Sequence, residues 1–340
     1  MSAPRYVRPL LLALGLIVAV RPLRVAAQQQ ADTATGRAAA PAPPASGVVR
    51  QSLDDAWWTG PIMTNGAGTL PRGHFLIEPY FYDVTASGSN GYGSRAYVLY
   101  GLADRLTVGV IPILGYTRPS NGPSSSGIRF GDFTVAGQYR LTLFRPGRAM
   151  PTCSFEVQET FPTGAYDRLG DRPSNGIGSG AFTTTLSLNT QTYFWMPNGR
   201  ILRMRFNVFQ AFSSEANVED VSVYGTPAGF RGRARPGSAS FIYASWEYSV
   251  TQRWVLALDA TYTHTRNTSV TGYDLLDSTS ASNPSSVRLD SGSSDAFSFA
   301  PAVEYNWRSS LGVIVGARLV PAGHNTTASV TPAVAINVVY

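Results

Sequence analysis

The chain has 340 residues, room for one or two domains, with 44% apolar but only 14% charged residues, where soluble domains average about 25% charged. Its formal charge of +6 says little, because four of the 27 basic residues (all arginine) are Arg5, Arg8, Arg21 and Arg24 and the others nearly balance 21 acids; this argues against a nucleic-acid binder. The single cysteine, Cys153, excludes an internal disulfide and a multi-cysteine metal site.

Arg5 and Arg8 flank the start of an apolar run from Leu10 to Val20, and the small residues Ala26 and Ala27 precede Gln28. This order predicts a secretory signal peptide over residues 1–27, cut after Ala27. No cysteine follows the cut, as a lipoprotein would need, and the apolar run is too short to remain as an anchor. Residues 28–47, mostly alanine, proline, threonine and glutamine, read as a periplasmic linker without a core. Linker and lead-in together fill 28–72, ahead of one domain predicted over 73–340. After Ala27 no run approaches the roughly 18 apolar residues of a membrane helix.

From Gly73 onward the sequence alternates in strand-like segments. The clearest is 132–143, with Phe133, Val135, Tyr139 and Leu141 on one face and Asp132, Thr134, Gln138 and Arg140 on the other. Segments 202–212 and 254–263 follow the same rule. Others begin near Phe75, Arg95, Leu106, Thr152, Ala181, Ala239, Phe297, Leu311 and Ser329, giving about twelve of roughly 9–11 residues, the length a tilted strand needs to cross a bilayer. Strands of soluble sandwiches are shorter, about 5–6 residues. The fold class predicted is therefore all-β, an antiparallel transmembrane barrel of about twelve strands.

Connections alternate as well. Short turns are predicted at 103–105, 145–148, 197–200, 251–253 and 308–310, and longer polar loops at 85–94, 117–127, 163–180, 213–237, 264–295 and 321–327. Short periplasmic turns and long extracellular loops are the asymmetry of outer-membrane barrels. Rings gather at both strand ends: Tyr100, Phe144, Trp195, Trp254, Tyr305, Trp307 and Tyr340 on the turn side; Tyr116, Phe161, Phe212 and Tyr262 on the loop side. Two such girdles suit side chains that prefer the headgroup level.

The last strand, Val330 to Tyr340, keeps its alternation to the final residue. A barrel needs its last strand to pair with its first, so that no edge is left open in lipid. Val334, Ile336, Val338 and Tyr340 also have the form of the signal that barrel-assembly machinery reads during membrane insertion.

Leu70 to Phe75 (LPRGHF), Tyr100 to Val110 (YGLADRLTVGV), Gly131 to Phe133 (GDF), Phe161 to Tyr166 (FPTGAY) and Ser174 to Gly180 (SNGIGSG) resemble the outer-membrane family of the meta-cleavage pathway of phenol degradation. Its members are commonly labelled transporters. The resemblance spans most of the barrel and implies a barrel that moves small, often aromatic, molecules inward. It supplies no catalytic residue, and the loop 264–295 is longer than the family pattern requires.

On this facing the lumen presents Glu78, Arg95, Asp132, Arg140, Glu156, Arg203, Arg205, Glu247, Asp259, Glu304 and Arg318; charges facing lipid would be costly. Two readings stand open. The charges line a watery pore and bias what passes, or they pair across a narrow lumen and fill it. Arg203 and Arg205, the only close basic pair on one strand, are the candidates for a constriction. Salt bridging to facing carboxylates is the competing account of them.

Catalytic, cofactor and metal residues are assigned to none. His264 and His324 fall at the loop side without a motif of barrel hydrolases, and His74 opens the first strand as an interfacial or capping residue. Arg231 to Arg235 (RGRAR) could touch lipopolysaccharide phosphates through bidentate arginine contacts, although a charge run is more often simply solvated. Cys153 is an outward apolar residue. Gly176 to Gly180 lacks the strand-to-helix context of a phosphate cradle. The function expected is passive uptake of small solutes, hydrophobic or aromatic compounds among them, across the outer membrane of a Gram-negative bacterium. Its partners would be lipid, lipopolysaccharide, the assembly machinery and the solutes. The alternative is a closed barrel whose long loops bind partners or lipopolysaccharide.

Overall fold

The computed structural model describes residues 48–275 and 284–340; the predicted signal peptide, the linker 28–47 and residues 276–283 of the longest loop lie outside them. The strands are β1 (Phe75–Ala86), β2 (Ser89–Ala103), β3 (Leu106–Ile111), β4 (Ile113–Pro119), β5 (Arg129–Phe130), β6 (Phe133–Thr142), β7 (Thr152–Phe161), β8 (Thr183–Trp195), β9 (Ile201–Ser213), β10 (Ala216–Glu219), β11 (Phe230–Arg235), β12 (Ala239–Ser249), β13 (Trp254–Thr265), β14 (Ser269–Asp274), β15 (Ser285–Asp290), β16 (Ser294–Arg308), β17 (Leu311–Val320) and β18 (Ser329–Val339). β3 with β4 and β5 with β6 each form one wall strand, interrupted at Pro112 and at Gly131–Asp132. β10, β11, β14 and β15 form a sheet of their own. The rest close a twelve-stranded antiparallel barrel of the outer-membrane type.

Closure depends on both chain-end strands. Leu76 lies opposite Val339, while Phe75 N donates to Tyr340 O (3.2 Å) and Tyr340 N returns to Phe75 O (2.9 Å). Outward positions carry exposed Phe81, Tyr139, Phe155, Phe206, Leu256 and Ile336, a surface that suits lipid. Ring pairs gather at the two ends: Phe75–Tyr100 and Trp254–Tyr305 near the turns, Tyr92–Tyr116 and Phe161–Phe182 near the loops. No helix among the described residues is long and apolar enough to cross a membrane.

The loop side departs from expectation. Segment 85–94 is no loop: β1 and β2 continue to a turn at residues 87–88, where Gly88 takes φ +90°, a conformation suited to tight hairpins. Loop 213–237 and the described residues of loop 264–295 contain strands of their own. β11 pairs with β10 and β14, and β14 with β15. The apolar inner face of this sheet, with Val218, Phe230 and Val270, packs on Val223, Tyr224 and Leu169. Alternation of period two runs through RGRAR itself, so Arg231, Arg233 and Arg235 share the exposed outer face.

The largest departure is at the front of the chain. Residues 48–57 cross the short-turn end, where Gln51 N bonds Gly199 O and Trp57 N bonds Gln252 O (both 2.9 Å). Residues 58–70 then run buried through the lumen and leave beside the β2–β3 turn, where Thr69 Oγ1 donates to Asp104 O (2.7 Å). This stretch, read from sequence as lead-in, is a plug. The barrel wall makes room for it with glycine: a Cβ on Gly101 would stand 1.9 Å from Pro71 O. We expect Gly101→Ala to lower the urea midpoint of unfolding by the equivalent of about 1–3 kcal/mol, the cost of overpacking a tight contact; an unchanged midpoint would show that the plug's exit is slack.

Candidate functional site

The lumen has two halves, divided by how far the plug reaches. In the half near the turns every inward charge meets a partner. Glu304 Oε2 accepts from the backbone of Thr59 (2.6 Å) and Gly60 (3.0 Å). Asp259 accepts from Met63 N (3.0 Å) and Thr64 Oγ1 (2.5 Å). Glu156 Oε2 accepts from Asn65 Nδ2 (2.8 Å) and Asn189 Nδ2 (3.1 Å). The plug's carbonyls are served in turn: Arg205 Nη1 donates to Thr64 O (3.1 Å), Asn207 Nδ2 to Asn65 O (3.0 Å), and Gln138 Nε2 to Gly66 O (3.0 Å) and Gly68 O (3.1 Å). Ile62 and Met63, fully buried, pack with Tyr80, Phe209 and Tyr243.

Glu247 sits between the two arginines of β9. Arg203 grips it with Nε and Nη2, the former at 2.6 Å, and Arg205 Nε lies 3.0 Å from its Oε2. β12 and β9 are neighbours in register, with Glu247 opposite Arg203. The Arg203 guanidinium also stacks 4.5 Å over the plug's Trp58. Both arginines are 1% exposed, so they form a packed ion triad under the plug instead of an open constriction.

All eleven charged residues predicted for the lumen are buried. Glu78 accepts from Asn337 Nδ2 (3.0 Å), Arg318 Nε donates to Ser298 Oγ (3.0 Å), and Arg140 also has a partner. Asp132, at the break between β5 and β6, takes Gly164 N (3.0 Å), Ser179 N (2.8 Å) and Ser179 Oγ (2.7 Å), which ties the loop 163–180 over the barrel mouth. Of the insertion-signal residues, Val334, Ile336 and Tyr340 are exposed and Val338 is half-buried, all on the outward face.

The half near the loops contains a cavity of about 150 Å³ beneath that loop. Its wall is largely apolar and aromatic: Tyr82, Val84, Ile111, Ile113, Phe209 and Phe241, with Arg95 and Asp132 as the charged members. Tyr92 and Tyr116, stacked at 5.5 Å, also border it. Barrel pairing is sparse here. Pro112 has no N–H to give, and β4 meets β5 only at Leu114–Phe130 and Gly115–Arg129.

On the rim, His264 Nδ1 (2.8 Å) and Tyr262 Oη (2.6 Å) share Asp295 Oδ1. Among the described residues no serine or cysteine side chain bonds either loop-side histidine, and no group of side chains could hold a metal. On the separate sheet, Arg235 beside Glu215 holds that carboxyl below its usual range, and Arg288 does the same for Asp290.

The fold and lumen define an outer-membrane barrel with an internal plug. No family model and no curated protein matches the chain. Among solved structures, an outer membrane channel of Pseudomonas putida F1 superposes with a TM-score of 0.56 over 80% of this chain and 97% of its own, at 16% identity. The toluene transporter TodX of Pseudomonas putida gives 0.38 over 79% and 89%, at 10% identity. A KdgM porin in complex with disordered oligogalacturonate gives 0.40 over 77% and 98%, at 8% identity. The first is a likeness of fold; the two lower scores add nothing finer.

In the sequence, residues 58–70 read as a continuation of the linker before them. A signal was present: from Ala56 to Leu70 no residue is charged, and Trp57, Trp58, Ile62, Met63 and Leu70 interrupt the small ones, unlike the alanine and proline of 28–47. The triad gives a direct test. Glu247→Ala strands two buried guanidinium groups and should cost about 3–5 kcal/mol, read as a lower denaturation midpoint by heat-modifiable gel mobility. Arg203→Ala should leave the reversal potential of any residual conductance unchanged, because that guanidinium does not face an open path.

Proposed function

We propose that the protein is an outer-membrane channel for small apolar or aromatic solutes, kept closed to ions and hydrophilic molecules by residues 58–70. The carrying observation is the division of the lumen. A hydrogen-bonded plug fills the half near the turns, and an apolar cavity of about 150 Å³ occupies the half near the loops. An open hydrophilic pore would leave its lining charges to water, whereas here carboxylates cap plug amides. The likeness of fold to a solved outer membrane channel and the resemblance to the phenol-degradation family support the same reading.

In this mechanism a solute reaches the cavity from the loop side, past Tyr116 on β4, where β4 meets β5 at only two paired positions. It rests against Phe209 and Phe241, then moves inward when the plug yields. No cofactor or energy source enters the scheme, and no chemistry is assigned to His264 or Asp295. Val334, Ile336, Val338 and Tyr340 serve insertion by the assembly machinery. A second reading has one observation in its favour: the loop sheet presents Arg231, Arg233 and Arg235 in a row on its exposed face, and such a row suits lipopolysaccharide phosphates.

Planar-bilayer recording tests the channel. Wild-type protein should conduct poorly. Asp259→Ala with Glu304→Ala orphans four plug donors, each worth about 1–3 kcal/mol when left unsatisfied, and should raise open probability several-fold. Equal conductance in a folded double variant would refute the plug as the gate.

A further inference from the structure

Arg95 is set apart from the other lumen charges. It lies on β2 opposite Tyr80 of β1 and Ile113 of β4, is 8% exposed, and borders the cavity. Its Nε has no hydrogen-bond partner, and no ion pair among the described residues includes it. The other inward arginines are all engaged: Arg203 and Arg205 by Glu247, Arg318 by Ser298, and Arg140 by a partner of its own.

The one carboxylate in the cavity wall does not answer it. Asp132 spends its two oxygens on Gly164 N, Ser179 N and Ser179 Oγ. Tyr82, also in the cavity wall, offers a phenol and no carboxylate. A guanidinium removed from bulk water and left without an anion is costly. It is also the side chain best shaped to receive a carboxylate through two parallel N–H bonds.

The rest of the wall states what such an anion would carry. Ile111, Ile113, Phe209 and Phe241 are apolar, and Phe209 and Phe241 meet edge to face at 6.4 Å. A cavity of about 150 Å³ is the size that admits a single benzene ring in a protein interior. The geometry assigns this cavity to a small amphipathic carboxylate, with its carboxyl on Arg95 and an apolar body of about one ring against Phe209, Phe241 and Ile111. The assignment rests on the reading of the cavity as a solute site and narrows that reading from apolar solutes in general to apolar acids.

The test is calorimetric titration of the full chain, folded in a non-ionic detergent, with benzoate and with its uncharged isostere benzamide. Wild-type protein should bind benzoate about tenfold more tightly than benzamide, the scale of one charge-assisted hydrogen bond. Arg95→Gln should bind the two equally at the wild-type benzamide affinity, and Arg95→Lys should keep part of the preference. Heat-modifiable gel mobility confirms that each variant is folded. Benzamide binding without a benzoate preference in wild type, or a preference that survives in Arg95→Gln, overturns the carboxylate assignment and leaves the solute site standing. Binding of neither probe overturns both.

Discussion

An irregular backbone and a set of charged side chains share one enclosed space, and neither is tolerable there alone. Backbone away from water must have its amides and carbonyls bonded. Carboxylates and guanidinium groups in the same space must be paired or solvated. In this barrel each requirement is met by the other. Glu304 and Asp259 take the amides of Thr59, Gly60 and Met63, while Arg205, Asn207 and Gln138 feed the carbonyls of Thr64, Asn65, Gly66 and Gly68. The plug needs no regular structure because the wall supplies the bonds that a helix or sheet would have made internally.

The same constraint explains where glycine and small residues fall. The wall carries Gly312 where Thr59 approaches and Gly316 where Ile62 packs; a Cβ on either would stand within 2.5 Å of plug atoms. The plug is itself rich in glycine, threonine and alanine between its two bulky ends, Trp57–Trp58 and Leu70. Close approach on both sides lets backbone donors reach carboxylates that project only a few bonds from β13 and β16.

The barrel was legible because a membrane wall imposes a period of two that nothing local overrides. Strand β6 shows it residue by residue: Thr134, Ala136, Gln138 and Arg140 are buried, while Val135, Tyr139 and Leu141 are exposed. Inward placement of charge followed from the same alternation. What that charge does was not legible, since alternation gives a residue's face and not its neighbour. Arg203 and Arg205 read equally well as a constriction or as half of an ion cluster, and only the register of β9 against β12 brings Glu247 between them. The plug follows no period, and the strands of the loop sheet are short, with residues 220–229 between β10 and β11.

Plug and cavity differ in what it takes to disturb them, and that difference orders the proposed path. Moving residues 58–70 breaks bonds to three carboxylates at once and removes Trp58 from Arg203, so displacement is all-or-none unless water follows to solvate the exposed groups. Parting the wall beside Tyr116 leaves the Asp132 ties of the overlying loop in place and disturbs fewer bonds, because β4 meets β5 at two paired positions and Pro112 contributes no donor. A solute can therefore occupy the loop-side half while the turn-side half stays shut. On the proposed path the first step is selection by shape and polarity within a small aromatic space. The second is controlled by a cluster of charges that no apolar solute can itself satisfy, which puts occupancy and release under separate physical control.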